Sequence, residues 1–119
     1  MIRVELLTLT SGKRQILCPL SFVIEQSRWL SVVGANGAGM STLLRLIAGI
    51  DAPSGGDVRL KDQPVTRLAP LNRAQHIGYL AQSSATSFPF TVEEYVSLGL
   101  VPHDGKAFNH RKVTDAVIE

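Results

Sequence analysis

The feature that most constrains this chain is a glycine-rich stretch, SVVGANGAGMSTLLRLIAG, at residues 31–49. Its spacing follows the phosphate-binding pattern G-x-x-x-x-G-K-[ST], in which glycines let successive backbone N–H groups curl around phosphate oxygens. A helix that follows such a loop directs its positive N-terminus at the same charge. The glycine and hydroxyl positions of the pattern are filled by Gly34, Gly39, Ser41 and Thr42. Met40 stands where the pattern has a lysine, so the stretch predicts an anion cradle that has lost its cation.

The replacement of lysine by Met40 determines how tightly we expect the site to bind ATP. Methionine is close to lysine in reach and flexibility, but its thioether cannot donate a hydrogen bond to phosphate. A hydrogen bond to a charged group contributes about 1.5–3 kcal/mol, which corresponds to about tenfold to a hundredfold in affinity. We therefore expect weak ATP binding and nearly absent hydrolysis. The alternative that the residues alone leave open is a glycine-rich turn between a strand and a helix that binds no ligand.

The segments before the glycine loop predict two strands. Ile2, Val4 and Leu6 alternate with polar residues, as in a half-buried strand. The stretch QILCPLSFVIE, residues 15–25, predicts a second strand. Pro19 lies within it and predicts an edge position or a bulge, because proline cannot donate to a ladder.

The loop itself is predicted to lie between a buried strand and a helix. WLSVV, residues 29–33, is a short apolar run typical of a buried strand. Apolar spacing predicts a helix from Ser41 that Gly49 caps. Trp29 and Cys18 are both expected in the core.

The rest of the chain is predicted to alternate turns, strands and short helices. The order is a turn and strand within residues 51–60, a turn at 61–64, a short helix around 70–75 and a strand at 77–82. Thr91 and Glu94 have the spacing of a capping box for a helix that Gly99 would end. Residues 103–112 are interpreted as a loop, and residues 113–119 as the beginning of a helix.

Composition excludes several classes of protein. The chain has 119 residues, enough for one modest domain, and its basic residues are scattered, so no nucleic-acid partner is expected. Cys18 is the only cysteine, which rules out an internal disulfide. The three histidines share no metal-ligand spacing. The uncharged segment 29–44 is too short and too polar for a membrane span, so no direct membrane insertion is expected.

The order of motifs resembles that of a known family. With VVGANGAGMSTLLRLIAG followed by PSGGDVRL and IGYLAQSSATSFPFTVEEYVSLG, the chain resembles the ATP-binding subunit of an ABC transporter. The resemblance implies an α/β fold of the P-loop NTPase type, with an antiparallel β subdomain plus the first part of a parallel core. It also implies ATP and Mg²⁺ as cofactors, a homodimer of cassettes and transmembrane permease subunits as partners. The implied location is cytoplasmic, peripheral at the inner face of the cell membrane.

The resemblance also implies roles for particular residues. The triphosphate would be bound by Gly34, Ala35, Asn36, Gly37, Ala38, Gly39, Met40, Ser41 and Thr42. Ser41 would also ligate Mg²⁺. Gln82 occupies the position of the family's Q-loop glutamine, which reaches the Mg²⁺ and the attacking water and relays nucleotide state to the membrane subunits. Gln82 is therefore expected as a catalytic residue and a metal ligand.

The segment after Gln82 narrows the resemblance. QSSATSFPFTVEEYVSLGLVPH, residues 82–103, is similar to importers of haem, cobalamin and iron chelates, and closest to haemin import ATP-binding proteins. Within it, Phe88, Pro89 and Phe90 form a stiff apolar segment. This segment either packs in the core or contacts a helix of a membrane partner.

The chain lacks two sets of residues that the family uses to bind and hydrolyse ATP. The stretch LTSGKR, residues 9–14, has no aromatic residue where many members stack one on adenine. The signature motif, the apolar run ending in Asp-Glu and the switch histidine do not occur, and SGG at residues 54–56 precedes a strand instead. Residues 1–119 are therefore expected to form a partial nucleotide-binding domain. Without the strand that carries Asp-Glu, WLSVV and IGYLA are expected to be exposed.

Three hypotheses for function remain open from the sequence. The first is an importer ATP-binding subunit in which this chain is deficient in hydrolysis. The second is a non-enzymatic remnant, a pseudo-cassette with at most weak binding of nucleotide or a partner. The third is a split cassette that another chain completes.

Overall fold

A computed structural model of the chain describes residues 1–82 and 89–103. The predictions for Phe88, for most of the 103–112 loop and for the 113–119 helix lie outside the described residues. The chain divides into two compact units, Met1–Arg73 and Ala74–Glu119.

The first unit is built on a four-stranded antiparallel sheet with the strand order β2-β1-β3-β4. Its strands are β1 (Ile2–Ser11), β2 (Arg14–Ile24), β3 (Gly55–Leu60) and β4 (Gln63–Pro64). Strand β2 lies at the edge of this sheet. Its register against β1 shifts across Pro19, between the pairs Leu7↔Leu20 and Leu9↔Leu17. Both consequences predicted for this proline, an edge position and a bulge, are confirmed.

Strand β1 does not keep the alternation that its sequence predicts. Val4 and Leu7 are buried, whereas Leu6 is 67% exposed and has a φ of +45°. The ladders on both sides of β1 shift register here, and the Leu6 N–H donates to the Ser21 hydroxyl instead (N···O 2.8 Å). The half-buried position predicted for Leu6 is therefore wrong, because a β-bulge moves the inward position on by one residue.

The SGG stretch joins the sheet at the start of β3: Ser54 directly precedes the strand, and the two glycines are its first residues. The Ser54 N–H donates to the Thr8 carbonyl oxygen (2.9 Å), and the Ser54 hydroxyl accepts from the Thr10 N–H (3.0 Å). Gly56 follows with a φ of +75°. A Cβ on Gly56 would collide with the carbonyl oxygens of Glu5 and Leu6, so the crossing of β3 over the bulge requires glycine.

The predicted helix after the glycine loop is present as α1 (Met40–Ile47). Its C-terminus has the hydrogen bonds of a Schellman motif, with Gly49 N–H donating to Leu46 O (3.0 Å) and Ile50 N–H to Arg45 O (2.9 Å). Gly49 has a φ of +67°, which confirms it as the cap.

A fork-shaped ion pair reinforces the end of α1. Arg45 Nε and Nη2 donate to the two carboxylate oxygens of Asp51, at 2.7 and 2.8 Å. The hydrogen bonds from Arg45 hold the pKa of Asp51 below its ordinary value, and the charge of the guanidinium acts in the same direction. Residues 45–51 are thereby fixed together just after the helix.

The core of the first unit consists of aliphatic side chains from the sheet, from α1 and from the turn after β4. They are Val4, Leu7, Leu17, Leu43, Leu46, Ile47, Ala48, Val58 and Val65. Leu7 and Leu46 are completely buried, so both the sheet and α1 contribute to this core.

Two predicted strands and two predicted core residues are wrong. Residues 29–33 and 77–82 form no strand, and Trp29, Val33 and Leu80 are 101%, 88% and 92% exposed. A buried parallel strand needs neighbours for its N–H and C=O groups, and no described strand lies beside either segment. The exposure expected for WLSVV and IGYLA is confirmed, and Trp29 is therefore outside the core. Cys18 is also exposed, because it lies on the bulged edge strand.

Short helices follow the sheet. Helix α2 spans Pro70–Ala74, close to the predicted 70–75. In the second unit, α3 spans Val92–Ser97 and runs on into a 3-10 helix at Leu98–His103. The α-helix ends directly before Gly99, as predicted, with Leu98 as its C-cap, and the backbone continues through Gly99 as a 3-10 helix.

The capping box predicted at the start of α3 is confirmed. The Thr91 hydroxyl accepts from the Glu94 N–H (3.2 Å), and the Glu94 carboxylate accepts from the Thr91 N–H (2.8 Å). The hydrogen bond from this backbone N–H, followed by one from the Thr91 hydroxyl, lowers the pKa of Glu94.

Candidate functional site

The glycine loop is curled. The Ala38 N–H donates to the Ala35 carbonyl oxygen (3.0 Å), which closes a turn at the tip of the loop. Gly37 and Gly39 have φ angles of +83° and +90°, a conformation that glycine adopts without steric cost. The backbone between Gly34 and Met40 therefore bends into a compact loop at the start of α1.

The loop is held against β2 at one point. A Cβ on Gly39 would lie 3.1 Å from the Ile16 carbonyl oxygen and 3.9 Å from a methyl carbon of Leu17. Together with its left-handed φ, this contact explains why the pattern needs a glycine at this position. The second glycine of the pattern thus fixes where the loop and α1 sit on the sheet.

The start of α1 leaves backbone donors available. The first helical hydrogen bond runs from Leu43 N–H to Gly39 O (2.8 Å). The N–H groups of Met40, Ser41 and Thr42 precede it and have no acceptor among the described residues. No acidic residue lies in the first turn of the helix. These donors and the helix dipole form a region that favours an anion.

Met40 folds back over the beginning of the loop. Its Sδ and Cγ lie 3.6 and 3.8 Å from the position that a Cβ on Gly34 would take. The side chain is half-buried. A neutral thioether therefore lies along the loop, where it can fill space but cannot donate to a phosphate.

The hydroxyl groups of the two residues after Met40 can act as ligands for a cation. Ser41 is exposed and Thr42 is half-buried, and neither hydroxyl hydrogen-bonds to a described residue. A magnesium ion bound with nucleotide takes few protein ligands and several phosphate and water oxygens. One free hydroxyl beside the curled loop fits that requirement. In the described part of the chain, no three His, Cys, Asp or Glu side chains form a group that could hold a metal.

Gln82 belongs to the second unit, whereas the loop belongs to the first. It is exposed and ends the first described segment. Its expected role as a catalytic residue and metal ligand stays a prediction, as do the roles of the loop residues 34–42.

A cleft adjoins the loop at the stretch LTSGKR, residues 9–14, where the sequence analysis found no aromatic residue. It has a volume of about 350 Å³ and is lined by Ser11, Arg14, Gln15, Ile16 and Gly37. Ser11 and Arg14 are paired at the end of the β1–β2 hairpin.

A curled glycine loop, unpaired N–H groups at a helix N-terminus and adjacent free hydroxyls are the features of a P-loop in an α/β fold. The family profile described as ABC transporter matches residues 17–118. The chain therefore belongs to the ABC transporter family.

Curated relatives carry a narrower description. The chain is 36% identical over 119 residues to the "Hemin import ATP-binding protein HmuV" of Rhizobium meliloti (strain 1021), which covers 100% of this chain and 45% of that protein. It is 35% identical over 118 residues to the protein of the same name in Pseudomonas entomophila (strain L48), covering 99% and 46%. The chain thus spans about half the length of the curated relatives it matches.

Solved structures confirm the fold. The dimeric structure of MJ0796, a bacterial ABC transporter cassette, matches with a TM-score of 0.83 at 24% identity, over 99% of this chain and 54% of that one. The same cassette in a post-hydrolysis dimer bound to ADP and Pi matches with a TM-score of 0.82 at 22% identity, over the same shares of the two chains. Among the described residues, no helix is both long enough and apolar enough to cross a bilayer.

Proposed function

We propose that this chain is the nucleotide-binding portion of an ATP-binding subunit of an ABC importer for haemin or related iron chelates. In this proposal the loop binds the triphosphate of ATP weakly, and the chain does not hydrolyse it at a measurable rate. The observation that carries the proposal is the curled loop at the start of α1, whose N–H donors are free while Met40 replaces the cation. The importer type follows the names of the curated relatives.

Each part of the site has a proposed role. The N–H groups of Gly37 and of residues 39–42 bind phosphate oxygens, and the helix dipole supports the negative charge. The Ser41 hydroxyl is a ligand for Mg²⁺, which neutralises phosphate charge when it is bound. Gln82 is the proposed second ligand and the residue that senses the nucleotide.

The proposal includes the partners and location that the resemblance to ABC transporter subunits implies. A second cassette would face the nucleotide, and transmembrane permease subunits would bind the pair at the cytoplasmic face of the membrane. In this arrangement, residues 1–119 correspond to the first part of a nucleotide-binding domain.

A titration of the chain with ATP and AMP in the presence of Mg²⁺ tests the proposal. Because the loop binds the terminal phosphates, we expect AMP to bind at least about tenfold more weakly than ATP. Phosphate release should equal that of a protein-free blank. Equal affinities for ATP and AMP, or release above the blank, would contradict the proposal.

Two observations favour the second candidate function, a non-enzymatic remnant. Met40 lies along the loop, and the apolar residues Trp29, Val33 and Leu80 are exposed as if their covering layer were absent. If ATP does not bind at all, this candidate replaces the first. A neighbouring reading frame that encodes the signature and Asp-Glu motifs would instead support a split cassette.

A further inference from the structure

The ladder between β1 and β3 pairs like charges with each other. Arg3 lies directly opposite Arg59. Two residues further along β1, Glu5 lies directly opposite Asp57. Like charges at directly opposed positions destabilise a sheet. These four residues, here called the charged patch, therefore have an arrangement that the folding of a single chain does not favour.

The charged patch lies on the face of the sheet that points away from the core, here called the outer face. Val4 and Val58 form the ladder pair between the arginines and the carboxylates, and both are almost completely buried in the core. Because successive side chains of a strand point to opposite faces, the charges lie on the outer face. Their side chains are 29–52% exposed, so a docked molecule can reach all four.

Ion pairs within each strand use only part of the hydrogen-bonding capacity of the arginines. Arg59 Nε donates to Asp57 Oδ2 at 3.1 Å. Arg3 Nη1 lies 3.8 Å from Glu5 Oε1. A guanidinium has five N–H donors, and within the described part of the chain neither arginine has a second ion pair. Each arginine can therefore bind a further carboxylate.

Exposed apolar side chains adjoin the charged patch. Leu6, directly after Glu5, is 67% exposed and has a φ of +45°, which is a strained conformation for leucine. Val23, which pairs with Arg3 from β2, is 51% exposed. The outer face thus combines arginines with apolar groups, as protein–protein interfaces do.

The charged patch is complementary to a second copy of itself. Its positive row lies about 7 Å from its negative row, the span of two residues along a strand. A two-fold axis in the plane of the interface and perpendicular to the strands places the positive row of each copy over the negative row of the other. Arg3 then faces Glu5 of the partner, and Arg59 faces Asp57 of the partner. Packing of two sheets with nearly aligned strands is a common arrangement.

We propose that two copies of the chain associate through the outer faces of their sheets, with the charged patch of one copy on that of the other. Four ion pairs form between the copies, and the contact also covers apolar surface at Leu6 and Val23. Helix α1 contributes Leu46 to the core on the opposite face of the sheet, so the association does not use the glycine loop. The proposal goes beyond the proposed function and does not depend on nucleotide.

Charge reversal tests this association, followed by sedimentation equilibrium of the whole chain without nucleotide and at low ionic strength, because salt screens exposed ion pairs. Arg3→Glu/Arg59→Glu makes the patch acidic, and Glu5→Arg/Asp57→Arg makes it basic. We expect the unaltered chain to dimerise and each double variant alone to dimerise at least about tenfold more weakly. An equimolar mixture of the two variants should form a heterodimer at least as tight as the unaltered dimer, because their patches have opposite charge.

Two further variants serve as controls, with circular dichroism to verify that every variant is folded. Lys13→Glu/Arg67→Glu makes the same change in net charge as the acidic variant at exposed positions outside the patch, and it should leave the dimer constant unchanged. The chain with all four reversals exchanges its two rows and should dimerise as the unaltered chain does.

A monomeric unaltered chain would overturn the proposal, as would double variants that dimerise as tightly as the unaltered chain. The second result would mean that the copies associate through another surface, such as the exposed segment 29–33. Equal weakening by the Lys13→Glu/Arg67→Glu control, or a mixture that forms no heterodimer, would overturn it too. None of these results changes the expectation for ATP, so the failure of this association and the failure of the proposed function are distinguishable.

Discussion

Met40→Lys is expected to bind ATP about tenfold to a hundredfold more tightly than the unaltered chain. Met40 already lies along the loop, with its Sδ close to Gly34, so a side chain of similar length can follow the same path. An ammonium group there would donate a charge-assisted hydrogen bond to phosphate, which contributes about 1.5–3 kcal/mol. Calorimetric titration with ATP and Mg²⁺ measures the difference.

Two control variants distinguish a specific contact between the introduced lysine and phosphate from the general effects of a changed side chain or an added charge. Met40→Leu keeps an apolar side chain at the position and should leave the affinity unchanged. Leu44→Lys adds the same charge at an exposed position of α1, one turn further from the loop. If Met40→Lys binds ATP no more tightly than Leu44→Lys does, the lysine position has no specific role in this chain.

Gly56→Ala is expected to lower the free energy of unfolding by about 3 kcal/mol. Alanine would have to adopt a φ of +75°, and its Cβ would collide with the carbonyl oxygens of Glu5 and Leu6 at the bulge of β1. Relief of the collision would separate β3 from β1, the central pairing of the sheet. Urea unfolding followed by circular dichroism measures the change.

Gly12→Ala is the matched control for this variant. Gly12 also has a left-handed φ, +58°, but a Cβ there would meet no atom within 4 Å. Its cost is the backbone conformation alone, about 1 kcal/mol. Equal destabilisation by Gly12→Ala and Gly56→Ala would mean that the close approach of β3 to the bulge is not present in solution.

Elements that depend on hydrogen bonds within a few residues could be predicted from the sequence. The cap at Gly49 and the capping box of Thr91 and Glu94 are of this kind, because both partners lie within one turn of the chain. Pro19 is similar, since the missing donor belongs to the residue itself. In each case the local chemistry allows few alternatives.

Elements that depend on a distant partner could not be predicted from their own residues. WLSVV has the composition of a buried strand, yet it has no described neighbour to pair with, so it is neither a strand nor buried. The outward position of Leu6 was also missed. The bulge that causes it is defined by contacts with Ser21 and Gly56, which lie far along the chain.

Some features of the candidate site could likewise be predicted from the sequence, and others could not. The curled backbone of residues 34–39 and the helix from Met40 follow from the glycine spacing, and the structure has both. The direction of the Met40 side chain and the proximity of Arg14 to Gly37 depend on how β2 lies against the loop. No sequence motif indicates how β2 lies against the loop.

The central claim is that backbone N–H groups at the start of α1 still bind a triphosphate after the lysine has been replaced. The most direct measurement is a titration of the ¹⁵N-labelled chain with tripolyphosphate, followed through its amide resonances. The claim predicts saturable shifts concentrated at Gly37, Gly39, Met40, Ser41 and Thr42, with inorganic sulfate at equal ionic strength producing much smaller ones. Shifts that are absent from these amides, spread over the scattered lysines and arginines, or reproduced by sulfate would contradict it.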